Sequence, residues 1–257
     1  MLNRFIILLV LIFFSSNVYA LKLEKGEYYQ GEIKKVESYM YNFKLPSGEW
    51  EVTGIDRTLL GDSNFAYAVL TKIKEGAVEA FIWLSLVREP SDYGWYAGDP
   101  GVCTDWDNQG SNFHSNNYKE SMSSPSIGPC LAIYVTGDVW PGIYDDYPEF
   151  VQTKKKLKRY NVNLPDTILW IEQELITKEA LAHIYIGINP EIVGIDTPPN
   201  QEWTYSDWDK YNIENFPEKD SFMKKSIKVG KSMQEQNYKA LGKRKVLDLS
   251  FIDSLLK

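Results

Sequence analysis

Apolar residues recur at every second position on both sides of Lys74-Glu75-Gly76-Ala77. Phe65, Tyr67, Val69, Thr71 and Ile73 form the set before it, and Val78, Ala80, Ile82, Leu84 and Leu86 the set after it. A period of two places each set on one face of a strand, so the spacing predicts an antiparallel hairpin over Phe65–Arg88 that buries those faces. Phe81 and Trp83 fall on the opposite face of the second strand, which predicts cover on both sides. A lone hairpin is marginal in water, so further strands or helices must cross it.

The same reading runs along the rest of the chain. Glu27 to Ile33 predicts a short edge strand, and Pro46-Ser47-Gly48 a turn. Glu49 to Ile55 alternates with Trp50, Val52 and Gly54 on one side, and Leu131 to Thr136 reads as a buried strand. Thr167 to Thr177 fits a helix on Ile168, Ile171 and Leu175, but the following β-branched and aromatic run Leu181 to Ile188 favours a hairpin turning at Lys178-Glu179. Pro148 opens a predicted helix to Tyr160, with Phe150, Leu157 and Tyr160 on one face and Lys154, Lys155, Lys156, Lys158 and Arg159 outside or at its end. Pro217 opens the clearest helix, with Phe222, Met223, Ile227, Met233 and Leu241 as its stripe and Gly230 suited to close packing. Phe251, Leu255 and Leu256 predict a docked terminus. Together these elements predict an α+β fold: one mainly antiparallel sheet with two helices packed on one face, in a single domain over residues 21–257.

The first twenty residues read differently. Arg4 precedes an unbroken apolar run from Phe5 to Phe14, and Val18-Tyr19-Ala20 offers small residues at a cut, the layout of a signal peptide over 1–20. Export to the periplasm or outside the cell is therefore expected, with no membrane association after cleavage. No Asn opens an Asn-x-Ser/Thr sequon, which tilts the expectation towards a bacterial host.

Composition adds two constraints. The chain has 257 residues, a net charge of −7 and 14% aromatic residues, which argues for a packed globule and gives no basis for nucleic acid as a partner. Its only two cysteines, Cys103 and Cys130, lie in a chain routed to an oxidising compartment, so a disulfide between them is expected. Closing a loop of that length contributes about 3–4 kcal/mol on the chain-entropy argument. That loop belongs to a stretch from Glu89 to Pro129 rich in Pro, Gly, Asn and Ser, without sustained period.

Candidate chemistry is sparse. Asp105 to Gly110 resembles a calcium loop, but Gln109 stands at its fifth position and Asn116 where a bidentate Glu is needed, so no metal is expected. There is no Gly-x-Ser-x-Gly elbow, no Lys three residues after Ser123, Ser124 or Ser126, no His-Glu-x-x-His and no dinucleotide fingerprint, and no cofactor is expected. Of the two histidines, His183 lies in a predicted strand and reads as a packed or edge residue. Flat rings beside short polar groups are how pockets grip sugars, peptides and partner proteins. Trp95, Tyr96, Trp106, Asp107, His114 and Trp140 are the candidate ligand-binding residues on that ground. The expectation is an exported, non-catalytic binding or interaction protein for a small molecule, glycan or protein. The alternative is a cell-envelope hydrolase using carboxylates of the same loop.

Overall fold

The computed structural model describes residues 20–38, 40–89, 112–117, 130–137, 146–177, 180–197, 206–241, 243 and 245–257. The expected signal peptide lies outside them except for Ala20. The chain folds as α+β. Its strands are β1 (Tyr28–Tyr29), β2 (Glu32–Lys34), β3 (Asn42–Lys44), β4 (Trp50–Leu60), β5 (Ser63–Lys74), β6 (Ala77–Val87), β7 (Asn112–Asn117), β8 (Cys130–Gly137), β9 (Thr167–Ile176), β10 (Leu181–Ile188) and β11 (Val246–Asp248). Two helices, α1 (Pro148–Arg159) and α2 (Pro217–Ala240), both begin at the expected prolines.

Eight strands form one antiparallel sheet in the order β1-β4-β5-β6-β10-β9-β8-β7. The expected hairpin is β5–β6, and its turn residues Glu75 and Gly76 both have positive φ, 53° and 78°. Two left-handed residues in a two-residue turn match the twist of the strands they join. Thr167–Ile176 and Leu181–Ile188 are both strands, paired as the hairpin reading expected. The strand β7 is a correction: its Asn- and Ser-rich sequence shows no apolar period, yet it pairs along β8. A second sheet of order β11-β3-β2 packs into the same core as the long helix.

One-residue bulges decide which side chains share a face. β5–β6 shifts register at Lys72/Ile73 and β4–β5 at Val52/Gly54. Ala80, Ile82, Leu84 and Leu86 therefore join the main core, while Val78 falls into the second core on the other side of the sheet. Val69 faces Trp83 across the strands, so the two apolar sets of the hairpin lie largely on opposite faces rather than on one. Gly54 likewise parts from Trp50 and Val52: a Cβ there would sit 1.8 Å from the Glu149 carbonyl oxygen.

The two helices lie on opposite faces, not on one. Gly230 brings α2 against Leu131, Ile133 and Ile171 of the main core. α1 covers β4 and β5 on the other side, where Phe150 and Leu157 join Val69, Phe81, Trp83 and Trp170. Tyr160 follows the helix and is 63% exposed, so it is not part of the buried stripe. Buried polar bonds fasten both layers. Asn237 donates to Gln173 Oε1 at 3.2 Å and accepts from the Asp248 amide at 2.7 Å on the α2 side. Thr53 lies 2.8 Å from Thr71 and 3.0 Å from Thr153, hydroxyl to hydroxyl, on the α1 side. The terminal turn Ser250–Ser254 buries Ile252 and Leu255 as expected of a docked end.

Candidate functional site

On the α1 side of the sheet, β6, β10, β9 and β8 carry polar and aromatic side chains where the opposite face carries aliphatic ones. Register aligns them in rows. Tyr67, Ser85, His183, Glu174 and Cys130 are successive neighbours across five strands. The next row is Val69, Trp83, Tyr185, Glu172 and Ala132, and the third ends on Trp170 and Tyr134. Strand pleating puts residues two apart on one face, so Glu172 and Glu174 meet His183 and Tyr185 directly.

His183 Nε2 lies 2.7 Å from Glu174 Oε1, and Tyr185 Oη is 3.5 Å from His183 Nδ1. Glu172 is buried and accepts hydrogen bonds from the Tyr134 and Tyr185 hydroxyls. Burial pushes its carboxyl up to about 7, more than His183 and the two hydroxyls pull it down, and Glu174 pushes the same way as burial. Tyr185 is raised well above its usual range by burial and then by the Glu172 charge. The Trp83 and Tyr185 rings stack at 4.4 Å, and Tyr147 and Phe150 meet Trp83 edge-on at 5.1 and 4.9 Å. Trp83 Nε1 donates to Glu149 Oε1 at 3.0 Å, and burial raises that carboxyl too.

This arrangement places a carboxyl at Glu172 that can give or take a proton near neutral pH beside stacked rings. Ser85, His183 and Glu174 are the residue types of a nucleophilic triad in adjacent register. The Ser85 hydroxyl is hydrogen-bonded to Tyr67, however, and no Ser85–His183 hydrogen bond exists among the described residues. No group of three or more metal-ligating side chains occurs among the described residues.

Of the residues singled out in the sequence, Trp95, Tyr96, Trp106, Asp107 and Trp140 lie outside the described residues, as does Cys103. Cys130 opens β8 on the acidic face, with Sγ 3.7 Å from Glu174 Oε2. His114 is half-buried in β7 and pairs with Ile133, on the opposite face from Glu172. It does not join that cluster. His183 is not an edge residue, because β10 lies between β6 and β9. Sequence reading missed Trp83, Tyr134, Glu172, Glu174 and Tyr185 as a group. A usable signal was present: a turn at Lys178-Glu179 pairs His183 with Glu174 and Tyr185 with Glu172.

Compared with protein-family models, with curated proteins and with solved structures, the chain matches none.

Proposed function

We propose that this chain is an exported, non-catalytic binding protein, periplasmic or secreted, and a single domain once the signal peptide 1–20 is removed. Its ligand, a small molecule, a glycan or a partner protein, contacts the acidic and aromatic face of β6, β10, β9 and β8. Trp95, Tyr96, Trp106, Asp107 and Trp140 contribute from the neighbouring aromatic segments, and a Cys103–Cys130 disulfide ties residues 104–129 to the buried start of β8.

The observation that carries this reading is the stacked Trp83–Tyr185 pair beside Glu172, whose carboxyl is set by burial near neutral pH. Rings and hydrogen-bonding groups are gathered there without a nucleophile aligned on His183. The hydrolase alternative now rests on the sheet carboxyls: Glu172 and Glu174 sit in unlike surroundings, as an acid–base pair requires.

The test is a thermal-shift screen of the exported protein against glycans, amines and short peptides, with product analysis of every hit. A ligand that raises Tm, is recovered intact, and binds tenfold or more weakly to Glu172→Gln or Trp83→Phe is the expected result, roughly one lost interaction. Cleavage of the hit by the parent protein, lost in Glu172→Gln, assigns the hydrolase instead. A hit that binds both variants as tightly as the parent removes this face as the site.

A further inference from the structure

A basic cleft lies on the outer side of α1, away from the acidic face. Lys25, Gln152, Lys155, Lys156, Arg159 and Tyr160 line a cleft of about 430 Å³ between the N-terminal turn and the helix. The turn closes on the sheet through the Gly26 amide, which donates to the Val52 carbonyl at 2.8 Å. Its backbone borders the cleft: a Cβ on Gly26 would lie 3.7 Å from Lys156 Nζ. Lys156 is ion-paired with Glu51. Lys25, Lys155 and Arg159 have no carboxylate in salt-bridge range among the described residues.

Cations at a helix C-terminus are ordinarily explained by the helix dipole, and Lys156, Lys158 and Arg159 fit that account. It does not explain Lys25, which arrives from another segment and adds like charge to the same cleft. Nor do nearby acids neutralise the group. Glu27 is bonded to Tyr29 at 2.7 Å and Glu24 acts on Tyr29 and Arg57, whose side chains serve the opposite face of the sheet. Glu51 is taken by Lys156 and by the Tyr28 hydroxyl.

We propose that this cleft binds a phosphoryl group, with Lys25, Lys155 and Arg159 as its cationic walls and Tyr160 as a ring for a flat substituent. Three cations uncompensated among the described residues call for a multiply charged anion. A phosphate monoester carries close to two negative charges at neutral pH where a carboxylate carries one. Arginine presents a planar fork that matches phosphate oxygens, and Lys25 and Lys155 add point charges from two sides. Tyr160 lines the cleft and is 63% exposed, open to stacking. The volume suits a phosphate with a small attached ring.

The test uses the parent protein, Lys155→Ala/Arg159→Ala and Tyr160→Ala, with titrations of inorganic phosphate and phenyl phosphate at constant ionic strength. The parent should bind both, and the double variant tenfold or more weakly, as loss of two charge-assisted contacts implies. Tyr160→Ala should weaken phenyl phosphate and leave inorganic phosphate unchanged. Vesicles of phosphatidylglycerol and of phosphatidylcholine distinguish sources: binding to the first that depends on Lys155 and Arg159 assigns a lipid headgroup. Retention of phosphate binding in Glu172→Gln separates this site from the acidic face. The proposal is overturned if the parent binds no phosphate compound up to about 10 mM, if the double variant binds like the parent, or if chloride displaces the ligand as well as sulfate does.

Discussion

The two faces of the eight-stranded sheet are built from the same strands and have opposite characters. One carries Leu131, Ile133, Leu169, Ile171, Ile184 and Ile186 into the core that α2 closes over β8 and β9, by aliphatic contact and a few amide bonds. The other presents Trp83, Tyr134, Glu172, Glu174, His183 and Tyr185, only partly covered by α1. An apolar face needs only to exclude water. A face with buried carboxyls must also satisfy each oxygen, so it stays costly unless every partner is in place. The chemistry of this chain is therefore concentrated where burial and polarity conflict.

Glycine substitutions break the comparison most sharply. A Cβ at Gly54 would meet backbone, 1.8 Å from the Glu149 carbonyl oxygen, and neither partner can rotate away. A Cβ at Gly230 would meet the tips of Ile133 and Leu131 at 2.8 and 3.3 Å, which can move. Gly54→Ala should cost about 3 kcal/mol or more in urea unfolding by forcing α1 off β4. Gly230→Ala should fall within about 1 kcal/mol of the parent, because helix propensity offsets part of the crowding. Equal losses at the two sites would mean that the polar face is docked as loosely as the apolar one.

A pH series reads the polar face alone. The Glu172 carboxyl is raised in the folded protein to about 7 from 4.5, so the folded state holds a proton that the unfolded chain releases between those values. Stability is then greatest below pH 4.5 as far as this group is concerned, falls as pH rises to 7, and levels off above it. The loss is on the order of 3 kcal/mol. Burial of Glu149 adds a slope of the same sign. Glu172→Gln should flatten most of the decline in Tm between pH 5 and pH 8, leaving the Glu149 part. A Tm profile identical to the parent would show that Glu172 titrates normally. At the small end, Lys224→Ala removes an exposed pair with Asp220 on α2 and should leave Tm unchanged.

Much of the architecture was legible. The prolines at 148 and 217 mark helix starts because a missing amide hydrogen costs nothing there, and Glu75-Gly76 marks a turn because both residues take positive φ. The assembled candidate site was not legible in the same way. His183 looked like packing because its partners, Glu174 on β9 and Tyr185 beside it, become a group only when the hairpin register is followed through. The aromatic residues that drew attention first, Trp95, Trp106 and their neighbours, fall outside the described residues, and His114 turns to the other face.

By itself the sequence determined the strands of the two hairpins β5–β6 and β9–β10, the tight turn, the helix starts and the pairing that follows from a turn at Lys178-Glu179, since all of these depend on residues a few positions apart. The tertiary structure alone decided that α1 and α2 take opposite faces, that Gly54 and Val78 part from their alternating sets, and that β10 joins β6 at the sheet centre. A single bulged residue reverses every side chain beyond it, and a choice of face is settled only by contacts far apart in the chain.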